Sequence, residues 1–209
     1  MDILKEPVGK QDQYIAAYGG FRTLEIARDG AVTVGSVPVD STTAMELAHK
    51  ARMYYTGIQR SATAVLRSQD EASRRADRPD HARVVDALLK IKEIGYRIHH
   101  AFLDRDLDAF ARLMDEHWQC KRRLSASVSL SAIDDLYETV KKDFGVLGGK
   151  IVGAGGGGFV LLYCPERGRD LDEFMSAQGM PRVAWFPAMY GSRVVADLSD
   201  SDDYDAQRR

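Results

Sequence analysis

The sequence predicts an α+β fold, and three observations carry that prediction. Through two long stretches, 84–102 and 107–124, apolar residues recur at three- and four-residue steps, the seam of an amphipathic helix. Two short apolar runs, Lys150–Val152 and Phe159–Cys164, read as strands on either side of a glycine loop. From about residue 43 onward, strands are mixed with several helices and no internal repeat is visible, which is the α+β pattern.

The first ten residues are polar, and Pro7 and Gly9 argue against a regular element there. Residues 11–18, QDQYIAAY, predict a short helix that stops at Gly19-Gly20, since glycine just past the last turn is the usual terminator. An alternating run with Phe21, Leu24 and Ile26 follows, then Arg28-Asp29-Gly30, then Val32, Val34 and Val37. An Asp-Gly pair between two extended runs predicts a hairpin. Pro38 and a Ser/Thr/Asp cluster over 38–46 predict a boundary. The segment 47–55 is ambiguous, with Met53-Tyr54-Tyr55 before Gly57 favouring a strand.

A helix is expected from about Gln59 to Ser68, followed by a charged loop or crossover to Asp80 that contains Pro79. In the first long helix the stripe is Val84, Leu88, Ile91, Ile94, Ile98 and Phe102; in the second it is Leu107, Phe110, Met114, Trp118 and Leu124. Asp104-Arg105-Asp106 is the turn between them, with Asp106 placed to cap the second. A third helix is expected at about 131–144, carrying Ile133, Leu136, Tyr137 and Val140. After the glycine loop, Leu171–Ala177 reads as helix, and Arg182–Phe186 and Arg193–Ala196 as the last strands.

Composition narrows the function classes. The chain has 209 residues, enough to bury a core, with 44% apolar and 29% charged residues. A net charge of −2 provides no basic field for nucleic acid. The most basic stretch, Lys121-Arg122-Arg123, reads as a solvated helix face. Cys120 and Cys164 stand far apart without metal-ligand spacing, which fits a reducing cytoplasm. No apolar run is long enough to span a membrane, and the N-terminus has no apolar core of a signal peptide. Residues 197–209 read as a frayed acidic tail.

The sharpest motif is GGKIVGAGGGGFVLLY, residues 148–163. A flexible linker would have polar flanks, and these flanks are apolar. Gly153, Gly155 and Gly158 satisfy G-x-G-x-x-G, but a strand follows where a dinucleotide fold needs a helix, so that reading is rejected. No Gly-Lys-Ser/Thr closes a Walker A loop, and Asp143-Phe144-Gly145 lacks the other protein-kinase signatures. What remains is physical. Successive glycines let the backbone approach a ligand closely and expose N–H groups to an anion. The bland alternative is a tight strand connection under a packed helix.

Lys150-x-x-Gly153-Ala154-Gly155-Gly156-Gly157-Gly158 resembles the third motif of the GHMP kinases, the family of galactokinase, homoserine kinase, mevalonate kinase and phosphomevalonate kinase. PVGKQDQYIAAYGGF, residues 7–21, resembles that family's catalytic-aspartate segment, and the two motifs stand in the family's order. Tyr55-Thr56-Gly57-Ile58-Gln59-Arg60-Ser61, and His117-Trp118 with Lys121-Arg122, are similar to the branch acting on D-glycero-D-manno-heptose 7-phosphate.

The resemblance implies a ferredoxin-like C-terminal domain over 43–198, preceded in 1–42 by a remnant of a ribosomal-S5-like N-terminal domain and followed by the tail 199–209. It implies phosphoryl transfer from ATP with Mg²⁺ to a sugar-phosphate hydroxyl, a step that depends on positioning and charge neutralisation. Asp12 takes the place of the catalytic aspartate, orienting the attacking hydroxyl. Without the family, Asp12 is an ordinary helix-start carboxylate. Gly9 allows close approach; Lys10 either meets substrate phosphate or is solvated; Gln11, Gln13 and Tyr14 offer hydrogen bonds to a sugar. Arg60 is either a phosphate ligand or a surface arginine. Gly153–Gly158 wall the site. His99 and His100, adjacent on a helix, cannot share a metal, and His117 reads as a packed or capping residue.

The family's triphosphate loop, Pro-x-x-x-Gly-x-Gly/Ser-Ser-Ser at a helix N-terminus, is not found in the sequence. The chain is therefore expected to be a fragment, half of a split kinase, or a decayed remnant. Residues 11–37 are then expected to expose apolar edge surface and promote association, with a homodimer or a chain carrying the N-terminal domain as partner. The alternative function is a non-catalytic sugar-phosphate-binding module.

Overall fold

A computed structural model describes residues 9–59, 77, 79–124, 131–153, 155 and 157–194. The chain opens with α1 (Gln11–Tyr18) and a hairpin of β1 (Arg22–Ile26) and β2 (Val32–Ser36). Gly19 and Gly20 stop α1 at φ 63° and 65°, and Gly30 takes the left-handed position of the predicted Asp-Gly turn at φ 87°.

Within the predicted boundary at 38–46, residues 38–40 carry no regular element and a helix starts at Ser41. The next elements are α2 (Ser41–Lys50) and β3 (Ala51–Tyr55), so the ambiguous segment divides between them. Polar residues that read as a break are its N-cap and first turn: the Asp40 carboxylate accepts from the Thr43 N–H at 2.8 Å. That bond also holds the Asp40 carboxyl below its ordinary range. The expected helix at 59–68 and the crossover after it lie, apart from Gln59, Asp77, Pro79 and Asp80, outside the described residues.

The long helices α3 (His81–Leu103) and α4 (Leu107–Arg122) form an antiparallel pair. Asp106 caps α4 as expected, accepting from Ala109 N–H at 2.8 Å. Arg105, at φ 58°, makes the turn and reaches back to Asp40 at 2.9 Å, tying the turn to the start of α2. Then follow α5 (Ser131–Phe144), β4 (Gly148–Ile151), β5 (Phe159–Tyr163), α6 (Gly168–Ala177) and β6 (Arg182–Val183). Of the last two predicted strands, Arg182–Phe186 is only the two-residue β6, and Arg193 and Val194 are not strand. Only Met53 and Tyr54 pair with β6, so the ladder ends early.

β3 to β6 make one antiparallel sheet in the order β4-β5-β3-β6. Strand–helices–strand–strand–helix–strand in that spatial order is the ferredoxin-like arrangement. Period-two alternation sorts its two faces. Tyr54, Ile151, Val160 and Leu162 point into a core with Ile133, Tyr137 and Val140 of α5 and Leu171 and Met175 of α6. Ala51 and Tyr163 point the other way, into a core with Leu47 of α2, Phe102 of α3 and Leu107, Ala111 and Met114 of α4. Phe21, Val37 and Val39 anchor the hairpin to this second core. No described helix is long and apolar enough to cross a membrane.

Two carboxylates organise the first core's rim. Asp172 on α6 accepts from Tyr54 at 2.6 Å and pairs with Arg52 and Arg182. Asp115 on α4 accepts from Tyr137 and Lys141, each at 2.7 Å. Burial first, then the acceptor carboxylate, pushes the Tyr54 and Tyr137 hydroxyls far up, so both stay neutral donors.

The tightest joint is between β4 and α4. A Cβ on Gly148 would stand 1.8 Å from the Ala111 carbonyl oxygen and 3.1 Å from the Asp115 nitrogen. Gly148→Ala should therefore force α4 off the sheet and cost about 3 kcal/mol or more, read as a fall in denaturant midpoint. Gly145→Ala, at φ 69° with nothing within 4 Å, should cost only about 1–2 kcal/mol of backbone strain. Equal losses in the two variants would refute the close-contact account.

Candidate functional site

The glycine loop lies at the end of the sheet between β4 and β5, closed by a ladder bond from Val152 N–H to the Phe159 carbonyl at 2.8 Å. Its far side is fastened to the residues after β3. Thr56 N–H and its Oγ1 both donate to the Gly158 carbonyl, at 2.8 and 2.9 Å, and Gly158 N–H donates to the Ile58 carbonyl at 2.8 Å. Gly157, at φ 144°, passes so close that a Cβ would meet the Ile58 carbonyl oxygen at 2.6 Å. Glycine is thus required at 157 by contact and at 153, φ 78° in open space, by conformation alone. Its described residues are thus fastened at both ends, to β4 and to the residues after β3.

On its near side the Lys121 ammonium donates to the Gly153 carbonyl. Lys121 comes from the last turn of α4, and His117 lies one turn before it. Lys150 belongs to β4, two residues after Gly148, so it shares the sheet face that α4 covers. All three are half-buried. Burial, with the Lys150 and Lys121 charges, holds the His117 imidazole down to about 4, so it is neutral at pH 7. Burial and the Lys150 charge hold Lys121 down to about 8, and burial lowers Lys150 as well. His117 Nδ1 is shielded from solvent with no hydrogen-bond partner.

This changes two readings of the sequence. The run Lys121-Arg122-Arg123 is not a uniformly solvated face: Lys121 turns inward, Arg122 pairs with Asp134 at 2.9 Å, and Arg123 pairs with Asp86 at 3.3 Å. His117 is packed, as one of its two sequence readings had it, but its shielded Nδ1 has no partner among the described residues and two lysine charges act on the ring. The signal available beforehand was the four-residue spacing of His117 and Lys121, which puts both on one helix face.

The other expected site residues fall in a separate group. Gly9, Lys10, Gln11, Asp12 and Tyr14 lie before and along the first turns of α1. Asp12 is exposed in that first turn. Lys10 donates its ammonium to the Gly30 carbonyl of the hairpin, a role that neither sequence alternative included. Among the described residues, a Cβ on Gly9 would meet only the Gln11 side chain, at 3.8 Å. Tyr14 stacks on Tyr18 with centroids 6.4 Å apart. At its other end α1 is fastened to residues 188–192: Gly20 N–H donates to the Ala188 carbonyl at 2.7 Å and Ser192 N–H to the Ala16 carbonyl at 2.9 Å. Arg60, Ala154 and Gly156 lie outside the described residues.

Among the described residues no group of three His, Cys, Asp or Glu side chains could hold a metal ion. A magnesium ion accompanying a triphosphate takes most of its ligands from phosphate and water, with one or two carboxylates, so the described residues offer no dedicated cage for it.

Comparison with known proteins places this geometry. The family described as GHMP kinases C terminal matches residues 98–178. A D-glycero-alpha-D-manno-heptose 7-phosphate kinase of Campylobacter jejuni is 28% identical over 155 residues, 74% of this chain and 44% of that protein. Among solved structures, a D-glycero-D-manno-heptose 1-phosphate kinase from Bacteroides thetaiotaomicron superposes with a TM-score of 0.60 at 22% identity, covering 90% of this chain and 50% of that one. The galactokinase of Lactococcus lactis, complexed with galactose, superposes with a TM-score of 0.63 at 16% identity over 92% and 57%. At these identities the superpositions speak for the fold. The chain thus spans about half the length of these relatives. Residues 98–178 match the GHMP-kinase C-terminal family, and the chain is similar to sugar kinases of that family.

Proposed function

We propose that this chain supplies the C-terminal part of an ATP-dependent kinase that phosphorylates a hydroxyl of a sugar phosphate of the heptose 7-phosphate type. The observation that carries the reading is the glycine loop, pinned by Thr56 and Ile58 on one side and flanked by Lys121 and Lys150 on the other. Glycine backbone beside unpaired ammonium groups suits a ligand rich in hydroxyls and negative charge. The similarity to a heptose 7-phosphate kinase supports the same substrate class.

In this reading the sugar hydroxyl attacks the γ-phosphorus of ATP. A new oxygen–phosphorus bond forms as the bond to the ADP oxygen breaks, and the hydroxyl proton passes to a base. Asp12 is the base and the orienting group. Its side chain is exposed and, among the described residues, engaged in no ion pair, so the carboxylate is free to accept from substrate. Gln11 and Tyr14 add hydrogen bonds to the sugar, and Lys10, fastened to the hairpin, steadies the start of α1. ATP supplies the phosphoryl group. Its triphosphate is cradled by sequence corresponding to the other half of the relatives, either upstream in the same protein or on a second chain. Catalysis belongs to that assembly.

The test is turnover of phosphorylated heptoses and hexoses by this chain, alone and joined to such an N-terminal part. Asp12→Asn should lower kcat of the complete kinase by about 100-fold or more, with little change in KM or melting temperature. An unchanged kcat would remove Asp12 from the mechanism. Sugar-phosphate binding by an assembled protein that never hydrolyses or transfers from ATP would favour a binding module over a kinase.

A further inference from the structure

The basic groups around the glycine loop differ from three cations close to them in the fold. Arg122, Arg123 and Lys141 each have a carboxylate partner, Asp134, Asp86 and Asp115, at 2.9, 3.3 and 2.7 Å. Lys121 has only the Gly153 carbonyl, and no ion pair reaches Lys150 among the described residues. Both are half-buried on the covered face between α4 and β4, where unpaired charge is costly. His117 brings a shielded, unpartnered ring nitrogen to the same place. A fold that only needed filling would put apolar side chains here. Two ammonium groups and an imidazole instead leave positive charge with no counter-charge among the described residues.

We propose that His117, Lys121 and Lys150 form the seat of a phosphate monoester, the phosphate that the sugar substrate already carries, beside Gly153 of the glycine loop. The assignment rests on the reading of the chain as a sugar-phosphate kinase. A phosphomonoester carries close to two negative charges and three acceptor oxygens, which matches two ammonium groups and an imidazole donor better than a single carboxylate does. Lysine suits the role as a flexible point charge. The suppressed basicity of His117 and Lys121 agrees, since each carries a strain that an incoming dianion would relieve. The seat also sets the substrate's direction: a phosphate held at one end of the sugar leaves its far hydroxyls to meet the transferring group.

Calorimetry on the full chain tests the seat, with glucose 6-phosphate, inorganic phosphate, ATP and unphosphorylated glucose as probes. Glucose 6-phosphate should bind and glucose should not, and Lys121→Met and Lys150→Met should each weaken binding at least tenfold. Without ligand, both variants should melt at or above the wild-type temperature, because a buried unpaired charge is removed; a lysine with a structural role would lower it. Binding of glucose 6-phosphate that is absent, or unchanged in both variants, overturns the seat. If ATP is the only probe whose binding the variants lose, the seat is not on the substrate side and the proposal fails.

His117 gives an independent readout through pH. The unfolded imidazole protonates near its ordinary 6.5 and the folded one near 4, so unfolding takes up a proton between these values. Stability therefore falls as pH drops from 6.5 to 4, and His117→Asn should flatten that slope. Saturating phosphate should move the folded imidazole upward, seen as a shifted NMR titration, and reduce the slope. A titration that phosphate does not move counts against the seat. Turnover separates this proposal from the kinase reading. A complete kinase whose KM for sugar phosphate is unchanged in Lys121→Met and Lys150→Met keeps its activity assignment and loses the seat. Lysine-dependent phosphate binding in a complete protein that phosphorylates no sugar phosphate keeps the seat and rejects the kinase.

Discussion

At Gly148 the backbone of β4 comes so near α4 that a methyl group would not fit, and the candidate site on that face follows from this approach. A strand repeats every two residues and a helix every 3.6, so fixing one contact fixes the next. With Gly148 against Ala111 and Asp115, Lys150 is carried to the same side. Two residues beyond Asp115 comes His117, and one further turn along α4 brings Lys121 to the Gly153 carbonyl. The glycine loop begins where this strand–helix contact ends.

The same packing explains which charges are settled and which are not. Asp172 gathers Tyr54, Arg52 and Arg182, and Asp115 gathers Tyr137 and Lys141. In both, a carboxylate at a layer boundary offsets the cost of burying its partners with several hydrogen bonds. Beside the glycine loop the offset is missing. Burial without a counter-charge is what lowers His117 and the two lysines together, a different physical situation within one turn of Asp115.

The N-terminal segment obeys other constraints. α1 has no buried residue and is held at its C-terminal end by 188–192, where a Cβ on Gly19 or Gly191 would collide with backbone. Its first turn, with Asp12, faces away from that attachment and is steadied by Lys10 on Gly30. β1 and β2 make a two-stranded sheet, and Ile15, Tyr18 and Ile26 remain exposed, together with Phe186 and Tyr190. A lone hairpin is marginal in water, so its attachment to the second core through Phe21, Val37 and Val39 is what holds it.

The sequence by itself determined the elements whose signals are local. The stripes of α3, α4 and α5, the Asp106 cap, the Asp-Gly turn and the strand–glycine–strand motif were legible, because periodicity, capping and turn chemistry act over a few residues, although Leu88 of the α3 stripe is exposed and Ala87 is buried in its place. α2 was misread because Ser41, Thr42 and Thr43 suit a loop as well as a first turn, and only the Asp40 bond distinguishes them. The end of the sheet was overextended because Trp185 is held by packing, not by strand pairing, and Phe186 is exposed: the Trp185 indole donates to the Ala51 carbonyl at 2.8 Å. Asp12 and the glycine loop were visible as motifs. His117, Lys121 and Lys150 were visible within separate motifs, but their convergence was not, since they belong to two elements. Tertiary structure alone decided that Lys121 reaches the glycine loop while Arg122 pairs with Asp134 and Arg123 with Asp86, because only the close approach at Gly148 brings that end of α4 against the sheet.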